Sequence, residues 1–182
     1  MKNRFISEKI EFLSQDWDLL SISSLHKKEL RKCNGKKEMI QSYLNASKKM
    51  YDILKKNNHP ESNISIIWNN SLCIPFLFLC RHTIELSIKY YLEKHNISFK
   101  TTHNIKKLYK KTYINNQEYE ELIEAFNILD KTGTMLRYSV DNADNEFRNK
   151  PYYIKTSKII VYVDKLCMQL LKLSDHNNQV KK

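Results

Sequence analysis

The sequence predicts an all-α fold, a helical bundle of about five to six helices. Three observations predict it. Gly occurs twice and Pro three times in 182 residues, too few breakers for the turns of a β sandwich or barrel. Segment after segment places apolar side chains at three- and four-residue spacing. A hydrophobic content of 41% with 28% charged residues is that of a globular chain, long enough for one core and cramped for two. The expected organisation is one helical domain over 1–182, with an N-terminal helical extension over 1–35, a bundle over 36–174 and a frayed tail over 175–182.

The first helix is expected from Ser7 to Leu25, where Ile10, Leu13, Trp17 and Leu20 share a face. A basic, Gly-containing break follows over Arg31–Lys37. The next helix spans Glu38–Asn57 on the stripe Ile40, Tyr43, Ala46, Met50 and Leu54, and Pro60 stops it. The central helix follows Pro75 and reaches His95; its first half is apolar on nearly all sides, as a buried helix is. A short helix is expected over His103–Lys111, capped by Thr101 or Thr102 and anchored by Ile105, Leu108 and Tyr109. Another runs over Gln117–Lys131, with Asn115 and Glu118 as a capping box and Gly133 as the C-terminal glycine. Thr132–Lys150 reads as a loop, with a turn-rich stretch around Asp141 and Asp144. The last helix covers Lys155–Leu173. Its Ile159–Val163 run resembles a strand, but Ile159, Val163, Leu166, Leu170 and Leu173 keep helical spacing.

The net charge of +11 favours an anionic partner such as nucleic acid, a nucleotide or an acidic surface, or else simply reflects a basic proteome. Cys33, Cys73, Cys80 and Cys167 show no C-x-x-C or zinc spacing and read as free thiols in a reducing, cytoplasmic setting. The N-terminus carries no signal peptide, and the longest apolar run, Leu72–Cys80, is about half of a membrane span, so no membrane partner is expected. No cofactor and no metal are expected, since phosphate-loop, dinucleotide, zinc-protease and nucleophile-elbow motifs are all missing.

Arg81, Glu85 and Lys89 recur every four residues and line one helix face in the most apolar part of the chain. They form either a satisfied polar stripe or the wall of a polar pocket. His82 points about 100° away from Arg81, which favours a packing role over a simple pair. His103 either anchors a helix start or joins that pocket. Lys106, Lys107, Lys110 and Lys111 form like-charge pairs with no nearby acid in sequence, interleaved by Tyr109 and Tyr113 as a base-stacking surface would be. Arg137, Tyr138 and Arg148 bracket the Asp141/Asp144 loop, where an Arg can fork onto phosphate or carboxylate.

The run Phe76–Leu92, with Arg81, the Glu85-Leu86 pair and Lys89, resembles the central helix of HEPN-like proteins. His103 with Leu108, and the Leu136-Arg137-Tyr138 stretch, are similar to elements of the same family, and the likeness runs from Ile74 to Leu173. It implies an all-α bundle, often dimeric. Many members are ribonuclease toxins or effectors of toxin–antitoxin, abortive-infection and antiviral systems; others bind nucleotides or have lost catalysis. Catalytic members carry Arg-x4–6-His. None of Arg4, Arg31, Arg81, Arg137 or Arg148 has a His at that distance, so no catalytic pair transfers.

The expectation is therefore an RNA- or nucleotide-binding protein of a prokaryotic defence or toxin–antitoxin system, with a cognate partner protein or a second copy. Its pocket is Arg81, Glu85, Lys89, His103, Arg137 and Tyr138, and its phosphate face is Lys106, Lys107, Lys110, Lys111 and Arg148. One alternative is a noncatalytic dimerisation or protein-interaction subunit. Another is a metal-independent ribonuclease with His103 or His82 as acid–base and Arg81 or Arg137 against the transition-state charge.

Overall fold

The computed structural model describes residues 33–57, 65–66, 72–138 and 153–176. The chain divides into two compact units, Met1–Gly35 and Lys36–Lys182, and the first lies almost wholly outside the described residues. The helix expected over Ser7–Leu25, the Asp141/Asp144 loop and Arg148 fall outside the described residues as well.

Helix α1 spans Cys33–Asn57, so the part of the expected break that lies from Cys33 to Lys37 is helix. Gly35 sits in its first turn, where backbone N–H groups have no intrahelical partner to lose. Ile40, Leu44, Ser47 and Leu54 are its buried positions, and Lys55 and Lys56 complement the dipole in the last turn.

Helix α2, Cys73–Lys94, is buried along most of its length. Pro75 falls in its first turn, where it costs no hydrogen bond. The helix closes in a Schellman arrangement: Ile97 N–H donates to Leu92 O at 2.8 Å and Asn96 N–H to Glu93 O at 3.1 Å. Asn96 supplies the required left-handed residue at φ 54°.

Two asparagines start the next helices. Asn104, rather than Thr101 or Thr102, caps α3 (Ile105–Lys110), its Oδ1 accepting Lys107 N–H at 2.9 Å. Thr102 Oγ1 instead accepts Asn104 N–H. Asn116, rather than Asn115, caps α4 (Gln117–Leu129), its Oδ1 accepting Tyr119 N–H at 3.0 Å. In both cases the residue next to the first buried side chain's turn takes the extended conformation that a cap needs.

The loop expected from Thr132 holds a further turn of helix, α5 (Met135–Tyr138). A short antiparallel pair, β1 (Ser65–Ile66) with β2 (Tyr153–Ile154), also escaped the periodicity, because two residues show none. Helix α6, Thr156–His176, settles the strand-like run over Ile159–Val163 as helix. It extends beyond Leu173, so the tail expected from 175 begins inside the helix. Its buried seam is Ile160, Val163, Leu166, Cys167, Leu170 and Leu171, rotated slightly from the expected stripe.

The core lies where α2 packs on α6, closed by α3, α4 and α5. Phe76, Leu77, Ile84, Ile88 and Leu92 of α2 meet Ile105, Leu108, Ile123, Phe126, Val163, Leu166 and Leu170 there. Ile40 of α1 joins Tyr90 and Leu171 in a smaller cluster. Cys73, Cys80 and Cys167 are free thiols inside the core. Burial pushes Cys73 up to about 11 and Cys167 up to about 12, so they act as small hydrophobes rather than nucleophiles. Among the described residues no helix is long and apolar enough to cross a membrane.

Candidate functional site

The most apolar helix carries the most demanding charges. Arg81 and Glu85 of α2 are each 2% exposed, and only the paired, hydrogen-bonded form of such charges is tolerable there. Arg81 Nη1 donates to Glu85 Oε2 at 3.3 Å. One turn on, Lys89 Nζ donates to Glu85 Oε1 at 2.7 Å. The same oxygen accepts from His103 Nδ1 at 2.9 Å. A carboxylate only accepts, so this contact fixes the tautomer with the proton on Nδ1 and leaves Nε2 uncommitted to Glu85. The His103 side chain is 50% exposed and that of Lys89 21%, so the buried ladder opens to solvent at these two groups.

The rest of the Arg81 fork ties neighbouring elements together. Nη2 donates to His103 O at 2.6 Å and Nε to Asp130 O at 3.1 Å, with Asp130 Oδ2 at 3.6 Å. Asp130 in turn caps α5: Oδ1 accepts Gly133 N–H at 2.7 Å and Met135 N–H at 3.2 Å, and Oδ2 accepts Leu136 N–H at 3.3 Å. Gly133 crosses above the guanidinium at φ +83°, where a Cβ would stand 2.9 Å from Arg81 Nη1 and 3.0 Å from His103 Cβ. Glycine is required twice over, by the left-handed backbone and by the close approach.

Electrostatically the cluster is balanced, with Arg81 and Lys89 set against Glu85 and Asp130. Burial pulls the Arg81 guanidinium down, opposed first by Asp130 and then by Glu85. Burial pushes Glu85 up, but the Lys89 and His103 hydrogen bonds and charges outweigh it and hold the carboxyl below its ordinary value.

The expected site residues do not all converge. Arg81, Glu85, Lys89 and His103 form one network. His82 leaves it for an aromatic stack, lying parallel to Phe78 at 5.6 Å and edge-on to Tyr43 at 4.9 Å. Its Nδ1 is buried without a hydrogen-bond partner among the described residues, and burial pushes its pKa down. The guanidinium of Arg137 sits over the Phe78 ring at 5.4 Å, next to that stack rather than on Glu85. Tyr138 closes α5 and its side chain lies outside the described residues.

The four lysines of α3 are also divided. Lys106 pairs with Glu124 of α4 at 2.5 Å, an acid that sequence proximity did not reveal. Lys111 Nζ donates to Ser98 O at 2.7 Å. Lys107 is exposed, and Lys110 lines a groove between α3 and α4. Tyr109 is buried, so only Tyr113, 84% exposed, remains for stacking. Asp130 and Gly133 were missed as site residues. The available signal was Asp-x-x-Gly just past the α4 stripe, the pattern of a turn with Asp at its first and Gly at its fourth position. Among the described residues no three His, Cys, Asp or Glu side chains converge as metal ligands.

An all-α bundle whose central helix buries an Arg–Glu–Lys ladder beneath a helix-opening histidine is the class these elements define. The family model of the HEPN domain matches residues 74–166, which reach from the start of α2 into α6 and include the whole network. The chain belongs to the HEPN family. No curated protein and no solved structure gives a significant match.

Proposed function

We propose that this HEPN protein binds RNA or a nucleotide at the mouth formed by His103 and Lys89, within a prokaryotic defence or toxin–antitoxin system. The observation that carries the reading is the single buried oxygen, Glu85 Oε1, holding both groups within hydrogen-bond distance at the solvent edge. A cationic ammonium beside an oriented imidazole suits a phosphate oxygen. Lys107, exposed on the adjoining helix, extends the positive edge, and Arg137, Lys111 and Arg148 are further phosphate contacts in this reading, whereas Lys106 and Lys110 face the carboxylates of α4.

The test is incubation of the purified chain with labelled total RNA and tRNA in EDTA at two salt concentrations. Binding is expected, weakening with salt by a log–log slope of about −0.7 per phosphate contact. His103→Ala and Lys89→Ala are each expected to weaken it several-fold. Absence of binding at the lower salt overturns the reading and favours a noncatalytic interaction subunit. That subunit would dock through the apolar groove of about 440 Å³ between α4 and α6, where Ile128 is 60% exposed.

One observation supports a catalytic version. A histidine whose Nδ1–H is held by a buried carboxylate presents Nε2 for proton transfer, the arrangement of an oriented general base. Metal-independent cleavage lost in His103→Ala and kept in His82→Phe would establish it. In this version Arg81 positions His103, because its Nε, Nη1 and Nη2 are all spent inside the protein.

A further inference from the structure

Away from the Glu85 network, α3 and α4 enclose an open groove of about 670 Å³, within the roughly 300–1,000 Å³ typical of ligand sites. Its floor is Tyr109, Ile114 and Ile123. Lys106 and Lys110 stand on the α3 side, and Glu120, Glu121 and Glu124 on the α4 side. Part of this charge is already spent: Lys106 is paired with Glu124, and Glu121 accepts from Gln117 Nε2 at 3.2 Å. The charged ends of Lys110 and Glu120 make no hydrogen bond or ion pair among the described residues. Tyr109 is 4% exposed and its hydroxyl is buried, so this residue closes the floor without offering a polar contact to the groove. At the lip Tyr113, 84% exposed, holds φ 56°, a left-handed conformation that an aromatic residue rarely adopts.

We infer that this groove binds a short peptide segment of a partner protein, one that sets an apolar anchor between an acidic and a basic side chain. The anchor covers the accessible part of Ile114 and packs against the Tyr113 ring. The acid meets Lys110 and the base meets Glu120. Nucleic acid is disfavoured here, because three carboxylates line the groove and repel phosphates.

The test begins with a random peptide library panned on the full chain, the enriched peptides being resynthesised with a fluorescent label. Enriched peptides are expected to share an apolar residue flanked by opposite charges. Lys110→Glu is expected to weaken them about tenfold or more, and changing the peptide's acid to Lys to recover most of the loss. Glu120→Lys reverses the other unpaired charge of the groove at an exposed position. It should leave the melting temperature nearly unchanged while weakening the peptide about three- to tenfold, and changing the peptide's base to Glu should recover most of the loss. Absence of an enriched motif, or binding indifferent to both substitutions, overturns the proposal. Two further outcomes do the same: self-association abolished by Lys110→Glu, which makes a second copy the occupant, and RNA binding that only Lys110→Glu reduces, which makes the face a phosphate surface.

Discussion

Glu85 illustrates how one side chain is asked to satisfy several others. Its two oxygens take Arg81, Lys89 and His103 in a setting with almost no water contact. Glu85→Gln leaves Arg81 underpaired in the core, and a loss of about 3 kcal/mol is expected in urea denaturation. The acid limb of stability follows from two depressed pKa values. His82 titrates below its ordinary 6.5, chiefly through burial, with Arg137, Arg81 and Lys89 adding to the shift against Glu85. Its neutral form is therefore the folded one, and stability present above pH 6.5 is lost as pH falls from there toward the folded value. Glu85, depressed below 4.5, adds a second loss beneath that pH. Thermal melts from about pH 7.5 to about pH 5.5 check the first step: the decline should be visibly smaller in His82→Phe, which keeps the stack on Phe78. At this scale the sequence is partly legible. The four-residue spacing of Arg81, Glu85 and Lys89 alone puts them on one face. Asp130, which completes the set, was hidden because its link to Arg81 exists only once the fold brings the residue just past α4 to the middle of α2.

Elements were legible wherever apolar periodicity ran for several turns, as in α2, α4 and α6. Their ends were less so, because a cap depends on the conformation of one residue and neighbouring candidates look alike. Thr101, Thr102 and Asn104 all have the right chemistry, yet only Asn104 takes the extended backbone next to Ile105 and receives Lys107 N–H. Asn104→Ala is expected to cost about 1 kcal/mol. Since His103 immediately precedes the cap, the same variant should loosen the imidazole on Glu85, seen as a shifted and broadened His103 ring resonance. The α5 turn was unreadable for another reason. Four residues give no periodic signal, and what starts this helix is a carboxylate at the end of the preceding one.

The whole molecule rests on the seam of α2 against α6, where Leu166 is completely buried. Leu166→Ala removes that packing at its centre and is expected to cost about 2–5 kcal/mol, read from the denaturation midpoint with an unchanged slope. The fold class was legible because scarce breakers and repeated helical spacing leave few alternatives to a bundle. The candidate site was legible only in part: Arg81, Glu85, Lys89 and His103 were expected together, but Asp130 and Gly133 join them only once the end of α4 reaches the middle of α2. Gly133 shows what this assembly means over the history of the family. It lies against the guanidinium of Arg81, and Asp130 grips both its neighbourhood and that same Arg. Drift at any one of the three positions meets resistance from the other two. Among descendants of this chain they are expected to be inherited as a set, and a lineage losing Arg81 would lift one of the constraints on position 133 while the left-handed backbone and the nearby His103 Cβ keep the other.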